Sequence, residues 1–150
     1  MVSKGNLIRF GNAFERLIVK MSEVDDFCVE MTQDITKQDL SLIGYIGMEG
    51  EVIMRQIAEF LDVPLSTATW IVDKLVAKNY LDRFPSENDR RIVKVKLTRK
   101  GIGVYDLFQS KKMEMGTRVL KYLEKEEQEY FIQILEKIGV GLKNHQEQPA

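Results

Sequence analysis

Residues 57–101 read IAEFLDVPLSTATWIVDKLVAKNYLDRFPSENDRRIVKVKLTRKG, and the order of patterns in this stretch decides the fold. Apolar residues spaced three and four apart predict a short helix before Pro64 and another after it, because proline ends one helix and readily begins the next. The helix after Pro64 is predicted to stop at Asn79, since asparagine tolerates the left-handed conformation that follows a helix. The stretch therefore begins with two helices joined by a tight turn.

A β-hairpin with a charged tip is predicted to come next. YLDRF has the composition of a strand, PSENDRR is dense in turn-forming residues, and IVKVKL alternates apolar with basic residues. Thr98 is a suitable N-cap for the helix that follows the hairpin. Two short helices followed by a basic hairpin form a winged helix-turn-helix, in which the hairpin is the wing.

Helical patterns flank this core on both sides. An apolar seam predicts a long first helix, and Thr36 followed by Asp39 resembles a capping box that opens a second one. The seam consists of Leu7, Phe10, Phe14, Leu17, Met21, Val24, Cys28 and Met31. EVIM is interpreted as an apolar link, two long helices are expected after Thr98, and a disordered tail is expected from residue 144. The predicted fold class is mainly α with a small β-wing.

Length and composition indicate what the chain needs in order to fold and where the protein is expected to be located. The chain has 150 residues, of which 44% are hydrophobic, so it can bury a core without a disulfide or a metal. Cys28 is the single cysteine, and no apolar stretch is long enough for a membrane helix or has the pattern of a signal peptide. We expect one domain with helical extensions, in the cytoplasm and away from the membrane.

Charge is unevenly distributed along the chain. The net charge is −1, from 22 basic and 23 acidic residues, which argues against a general polyanion binder. Residues 83–100 nevertheless contain seven basic and two acidic residues, a local charge of +5 that leaves −6 for the remainder. This basic segment is either an electrostatic footprint for nucleic acid or the ordinary charge scatter of a solvated loop, and charge alone leaves both open.

The same stretch resembles the DNA-binding core of the MarR family of bacterial and archaeal transcriptional regulators. The matching positions are Ile57 and Ala58 at the helix start, the VDKL of the next helix, Leu81 and Arg83 on the first wing strand, Asp89 to Arg91 at the tip, and Leu97, Thr98 and Gly101 after the wing. The resemblance implies a DNA-binding lobe of residues 36–100, with residues 1–35 and 101–145 forming a helical dimerisation region.

The function implied by the resemblance is that of a homodimeric, sequence-specific transcriptional regulator, expected to be a repressor, although the sequence leaves repression and activation both open. Residues 65–79 would enter two successive major grooves of double-stranded DNA. A small aromatic or anionic ligand, bound between the dimer helices and the DNA-binding lobes, would modulate the affinity for DNA. No cofactor is implied.

Candidate DNA contacts lie on the second short helix and on the wing. On the helix they are Leu65, Ser66, Thr67, Thr69, Trp70, Asp73 and Lys74. On the wing they are Arg83, Asp89, Arg90, Arg91, Lys94 and Lys96. The resemblance assigns entry into the minor groove to Arg91 and support of the tip to Asp89. A hairpin tip is narrow enough for a groove about 6 Å wide, whose negative potential favours a guanidinium, although a surface turn with mobile arginines remains the alternative.

Trp70 departs from the family pattern, because relatives often have a basic residue at this position. At 100° per residue, Trp70 points away from the apolar face formed by Ala68, Ile71, Val72 and Leu75. An indole left in water suggests a surface that is buried on binding. That surface contacts DNA or, if the domain is a protein-interaction module without DNA binding, anchors a protein partner. The helix starts at Pro64 and Met54 also lack the usual side-chain caps.

No catalytic or metal-binding residues are predicted. His145 is the only histidine, so a metal-ligand set and the nucleophile–base pair of a hydrolase are both missing. Cys28 is either a sensing thiol, as in the peroxide-sensing branch of the family, or part of the core. Its acidic neighbours Asp25, Asp26 and Glu30 and its place on the apolar seam favour the core.

Overall fold

The computed structural model describes residues 1–146, and side chains as far as residue 142. This part of the chain contains six helices and three short strands. They are α1 (Lys4–Thr32), α2 (Lys37–Glu49), β1 (Glu51–Ile53), α3 (Met54–Leu61), α4 (Leu65–Ala77), β2 (Leu81–Pro85), β3 (Val93–Leu97), α5 (Arg99–Leu120) and α6 (Lys125–Gln146). The predicted class, mainly α with a small β-wing, is confirmed.

The chain divides into two compact units, Met1–Lys112 and Met113–Ala150. The first unit holds α1 to β3 and the first part of α5, so the whole helix-turn-helix and wing lie within it. The second unit holds the end of α5 and α6. The division into a DNA-binding lobe of residues 36–100 and a flanking dimerisation region stays a prediction.

The start of α2 is fixed by the capping box that the sequence predicts. The N–H of Asp39 donates to Thr36 Oγ1 at 3.2 Å, and the N–H of Thr36 donates back to Asp39 Oδ2 at 2.9 Å. Both groups would otherwise be unpaired at a helix N-terminus. Gly50 closes the helix with a φ of 85°, a conformation that glycine adopts without strain. The carboxylate of Asp39 is thereby fixed in the interior of the first unit.

The sheet has three strands rather than the two expected from the hairpin. β1 and β2 both pair with β3 in antiparallel register, with Val52 opposite Val95 and Arg83 opposite Val95 on the other side. The interpretation of EVIM as a link is therefore wrong, because its first three residues form β1. Val52 is buried, and pairing with the central strand β3 provides the backbone hydrogen bonds that an unpaired link would lack.

Three helix ends differ in detail from the prediction. Ile53 occupies the N-cap of α3 and Met54 is its first residue, so the expected cap at Met54 lies one residue too late. Helix α4 ends at Ala77, and Asn79 then takes the predicted left-handed conformation with a φ of 63°. Helix α6 continues to Gln146, so the expected disorder of residues 144–146 is wrong. The rest of that tail, residues 147–150, lies outside the described residues.

The core of the first unit lies between α2, α3, α4 and the sheet. Its largest buried side chains are Leu40, Leu42, Ile43, Ile46, Ile57, Ile71, Leu75 and Leu81. Cys28 is fully buried in the same cluster, which confirms its predicted place in the core. Burial, with a smaller contribution from the Asp25 carboxylate, raises the pKa of the Cys28 thiol, so the reactive thiolate is disfavoured.

The seam of α1 is mostly exposed. Val24 and Cys28 are buried, but the residues nearer the N-terminus remain in contact with solvent. Exposed members of the seam include Leu7, Phe10, Phe14 and Met21. The rings of Phe10 and Phe14 stack with centroids 5.0 Å apart, which makes a continuous aromatic surface on this helix. An apolar surface of this length is unusual on an isolated soluble chain.

Candidate nucleic-acid interface

Helix α4 has the two faces that its periodicity predicts. Ala68, Ile71, Val72 and Leu75 are all buried, whereas Trp70 on the opposite side is 63% exposed. Pro64 precedes the helix without any side-chain capping hydrogen bond, as the sequence indicates. The predicted orientation of Trp70 is confirmed, and the indole lies at the centre of the solvent-exposed face.

The candidate contacts on α4 fall into two groups. Leu65, Ser66, Thr67, Trp70 and Asp73 are exposed, whereas Thr69 and Lys74 are half-buried. Ser66, Trp70 and Asp73 lie one helical turn apart and form a ridge along the outer face. The hydroxyl of Thr69 donates to the carbonyl of Leu65 at 2.8 Å, so its proton is engaged within the helix. The ridge is therefore the part of α4 that is most accessible to a partner.

Lys74 is turned towards the interior of the first unit. Its Nζ lies 2.7 Å from Oδ1 and 2.8 Å from Oδ2 of Asp39, whose carboxylate is fully buried. Oδ1 has no hydrogen-bond partner of good geometry, so its contact with the ammonium is ionic. A buried carboxylate needs this cation, because an unpaired charge in the interior is costly. In the free chain Lys74 thus forms an ion pair that joins α4 to the start of α2, and its contact with DNA stays a prediction.

Arg83 joins the base of the wing to α4. Its Nη1 lies 2.6 Å from Oδ1 of Asp73, and its Nη2 is 3.5 Å from the carbonyl of Thr69. The Nε atom is buried without a hydrogen-bond partner. These contacts hold the guanidinium against the helix rather than at the wing tip. Arg83 and Asp73 therefore lie together, and each neutralises the other at the edge of the ridge.

The tip of the wing is a compact turn with two exposed arginines. The N–H of Ser86 donates to the carbonyl of Ile92 at 2.8 Å, which closes the turn at its base. The carboxylate of Asp89 accepts a hydrogen bond from the N–H of Arg91 at 2.9 Å, the supporting contact expected of it. Arg90 and Arg91 are both exposed. The side chains that carry positive charge at the tip thus stand on a turn held by its own hydrogen bonds.

The two lysines of β3 differ in their surroundings. Lys94 is half-buried, and its Nζ lies 3.1 Å from Oε2 of Glu51 on the neighbouring strand. Lys96 is exposed, with its Nζ 4.7 Å from the ring centroid of Phe84. An aromatic ring leaves the charge of the ammonium in place, whereas a carboxylate neutralises it. Lys96 therefore contributes more positive potential to the wing than Lys94.

A polar cluster at the junction of α4 and the wing was not foreseen. The hydroxyl of Tyr80 donates to the carboxylate of Asp34, and the ammonium of Lys78 donates to the Asp34 carbonyl. Lys100 lies 3.8 Å from the Asp34 carboxylate and 4.0 Å from the centroid of the Tyr80 ring. Burial, followed by the hydrogen bond and the charge of Asp34, raises the pKa of Tyr80. The cluster ties the segment before α2 to the starts of β2 and α5.

Two further properties concern the described part of the chain as a whole. Its histidine, cysteine and acidic side chains form no group of three that could hold a metal ion. None of its helices combines the length and the apolar character needed to cross a bilayer. The site consists of polar, basic and aromatic side chains on α4 and the wing.

Comparison with known proteins agrees with this architecture. The sequence profile described as "MarR family" matches residues 33–92. The HTH-type transcriptional regulator MhqR of Bacillus subtilis (strain 168) is 31% identical over 106 residues, which cover 70% of this chain and 72% of MhqR. The profile match includes α2, the helix-turn-helix, the first wing strand β2 and the wing tip, and it ends before β3.

Solved structures share the fold at lower sequence identity. A variant of MepR from a multidrug resistant clinical isolate of S. aureus superposes with a TM-score of 0.75 at 24% identity, covering 89% of this chain and 96% of MepR. FabT of Streptococcus pneumoniae, solved in complex with DNA, gives a TM-score of 0.75 at 23% identity, covering 95% of this chain and 99% of FabT. The fold and its relatives define a winged helix-turn-helix transcriptional regulator. Within that class, the chain belongs to the MarR family.

Proposed function

We propose that this regulator is a homodimeric repressor that reads double-stranded DNA with α4 and the wing tip. The observation that carries the proposal is the tip, where Arg90 and Arg91 are exposed on a turn braced by Asp89. A braced turn loses little conformational entropy on binding. Its width suits the minor groove, whose negative potential attracts guanidinium groups. FabT, which has the same fold, is solved in complex with DNA, and this supports DNA as the partner of this chain.

The major groove is assigned to α4. The helix has 13 residues, and at about 1.5 Å per residue it is roughly 20 Å long, sufficient to lie across several base pairs. Its ridge of Ser66, Trp70 and Asp73, together with Leu65 and Thr67 in the first turn, would face the base edges. Thr69 would lie at the margin. Lys74 and Arg83 would act by holding the helix and the wing in position rather than by touching bases.

The dimer is proposed from the apolar surface of α1. The exposed seam is removed from water only when a partner covers it, and a second copy presents the same surface across a two-fold axis. Helix α6 also exposes apolar side chains, including Ile138 and Leu142, which suits a role in the same interface. A dimer with two α4 helices would recognise an inverted repeat with half-sites about one helical turn apart.

Control of this repressor is proposed to come from a small aromatic or anionic ligand. Family resemblance supports such a ligand, bound between the dimer helices and the DNA-binding lobes. Ligand binding would change the affinity for DNA only if the ligand prefers one arrangement of the two lobes. Repression of transcription would take place in the cytoplasm.

Duplex binding as a function of salt concentration tests the proposal. The full chain is used to select duplexes from a random pool, and the affinity for a selected duplex is measured by fluorescence anisotropy between 50 and 200 mM salt, a range over which several phosphate contacts cost roughly 10³-fold or more. A scrambled duplex is the control for non-specific binding. The proposal predicts a steep loss with salt and a preference for the selected sequence. A chain without affinity for any duplex would instead be a protein-interaction module.

A further inference from the structure

The centre of the exposed face of α4 is aromatic rather than charged. The indole of Trp70 is 63% exposed, although a tryptophan usually contributes its large apolar area to a core or to an interface. The Nζ of Lys74 lies 5.3 Å from the centroid of the Trp70 ring, on the side of the helix that faces the interior. The outward part of the indole is therefore the apolar surface that α4 presents to a partner.

The charged side chains of α4 are already engaged. Asp73 and Lys74 are the two charged residues between Leu65 and Ala77, a helix that the structure describes in full. Lys74 is held by both oxygens of Asp39, and Asp73 is held by Arg83 at 2.6 Å. Withdrawal of Lys74 towards DNA would leave the Asp39 carboxylate buried without its cation. Withdrawal of Arg83 would leave the exposed Asp73 facing phosphates of like charge.

This arrangement disfavours guanine as the base read by α4. Guanine is recognised in the major groove mainly by paired hydrogen bonds from arginine or lysine, and the cation of this helix is directed inward. Asp73, an acceptor suited to the amino group of cytosine, is occupied by Arg83. The chemistry left at the centre of the ridge is the apolar surface of the indole.

We propose that Trp70 determines specificity by contacting the 5-methyl group of thymine in the major groove. The methyl group of thymine is the apolar feature among the base-pair edges there, and its contact with the indole removes both from water. The Nε1–H can donate to a neighbouring acceptor, such as a phosphate oxygen, and so fix the orientation of the ring. The inference rests on the proposed DNA binding, and it adds the base and the group that α4 recognises.

The test replaces thymine by deoxyuridine, which removes the methyl group and leaves the pairing edge unchanged. In a duplex selected by the full chain, each thymine of one half-site is replaced singly, and the dissociation constant is measured by fluorescence anisotropy at fixed salt. One or two positions are expected to weaken binding roughly fourfold, the loss of one buried methyl group. Restoring the methyl group with thymine at that position restores the affinity.

Variants of the protein connect this loss to Trp70. In Trp70→Ala the sensitive position should tolerate deoxyuridine, with a change of less than about 1.5-fold, because the contact with the methyl group is already absent. Trp70→Phe should keep an intermediate sensitivity of about twofold, since it retains a ring of smaller area. Ser66→Ala, a neighbour on the same ridge, is the matched control and should keep the full fourfold sensitivity of the original chain. Circular dichroism confirms that each variant keeps its helical content.

Three results would overturn the inference while leaving the proposed function in place. One is sequence-specific binding that tolerates deoxyuridine at every position. Another is a sensitivity that persists unchanged in Trp70→Ala, which would assign the methyl contact to another side chain. The third is that Trp70→Ala binds the selected duplex as tightly as the original chain, which would leave the indole free to anchor a protein partner. If the full chain selects no duplex, the proposed function fails, and the inference fails with it.

Discussion

Helix α4 and the wing tip differ in whether their charged side chains have a partner within the protein. On α4 the ammonium of Lys74 and the carboxylate of Asp73 each have a protein partner, and the centre of the outer face is an indole. At the wing tip Arg90 and Arg91 are exposed, and the nearby carboxylate of Asp89 accepts a backbone hydrogen bond. Under the proposed function, attraction to the phosphate backbone and selection of bases would therefore lie in different elements.

The two regions also differ in whether their charged residues contribute to the stability of the fold or to the proposed binding of DNA. Lys74 and Arg83 are half-buried and hold parts of the first unit together, whereas the side chains of the tip can be removed without opening the core. Substitutions in the two regions should consequently be visible in different measurements. Loss of a buried partner changes the free energy of unfolding, and loss of an exposed arginine changes the affinity for DNA.

Loss of the ion pair between Lys74 and Asp39 should have the largest effect. Lys74→Met leaves the fully buried carboxylate without its cation, which is expected to lower the free energy of unfolding by about 3–5 kcal/mol. Urea denaturation followed by circular dichroism measures the change. The double substitution Lys74→Met with Asp39→Asn should recover much of the loss, since no charge is left in the interior.

The same pair of variants can contradict the proposed separation of roles between the two regions. Under the proposed division, folded protein with both substitutions keeps the dependence of duplex binding on salt, because Lys74 does not contact phosphate. A salt slope lower by about one unit would show that Lys74 leaves Asp39 and neutralises a phosphate in the complex.

Removal of an arginine from the wing tip should produce the next largest effect. Arg91→Ala is expected to weaken duplex binding by about 1–3 kcal/mol and to lower the salt slope by about one unit, since the side chain is exposed in the free protein. The midpoint of urea unfolding should change little. Fluorescence anisotropy at several salt concentrations measures both quantities, and Glu87→Ala on the same turn is a control of opposite charge. Unchanged affinity would remove the tip from the DNA interface.

Tyr80 tests the junction that connects the two regions. Tyr80→Phe removes the hydrogen bond to Asp34 and is expected to lower the free energy of unfolding by about 1 kcal/mol at neutral pH. The fold raises the pKa of Tyr80, so the neutral phenol is the form that the folded state stabilises. This stabilisation is complete below the unfolded pKa of about 10 and is lost as the pH rises towards the folded value.

Urea denaturation between pH 8 and pH 11 measures this dependence. The original chain should lose more stability above pH 10 than Tyr80→Phe, and the difference between them should shrink as the pH rises. Tyr122→Phe, at an exposed tyrosine of the second unit, is the control for removal of a phenol hydroxyl elsewhere in the chain. A constant difference across the range would assign the effect of Tyr80 to its packing.

The smallest expected effect belongs to the lysines of β3. Lys96→Ala should weaken binding of any duplex by less than about 1 kcal/mol, as expected of a contact with phosphate that carries no sequence preference. Lys94→Ala should weaken it less, because Glu51 neutralises Lys94 in the free protein. Anisotropy with the selected and the scrambled duplex measures both variants. A larger effect of Lys94 would mean that its ion pair opens when DNA binds.

Features that depend on local periodicity could be predicted from the sequence. The orientation of Trp70 follows from the spacing of Ala68, Ile71, Val72 and Leu75, and the capping box of α2 is visible as a residue pair three positions apart. The support of the wing tip by Asp89, which the family resemblance implied, likewise involves a residue two positions away. In each case the interacting groups are close in the chain, so the pattern and the contact coincide.

Features that depend on distant pairing could not be predicted. Strand β1 has three residues, and its partners Lys94 to Lys96 lie more than forty positions further along the chain. The partner of Lys74 is 35 positions away, at the start of α2, where the sequence indicates Asp39 only as part of a capping box. Because lysine commonly contacts DNA, the residue type alone led to the prediction that Lys74 faces DNA. Its inward direction depends on a carboxylate that only the fold brings close to it.

Asp39 constrains how this sequence can change over time. One carboxylate accepts the hydrogen bond that begins α2 and also holds the ammonium of α4, so a substitution there acts on two helices at once. A neutral residue at position 74 is costly while the acid remains, and becomes acceptable once position 39 is neutral. The two positions are thus epistatic, and the order of substitutions matters. In descendants of this sequence we expect positions 39 and 74 to change as a pair.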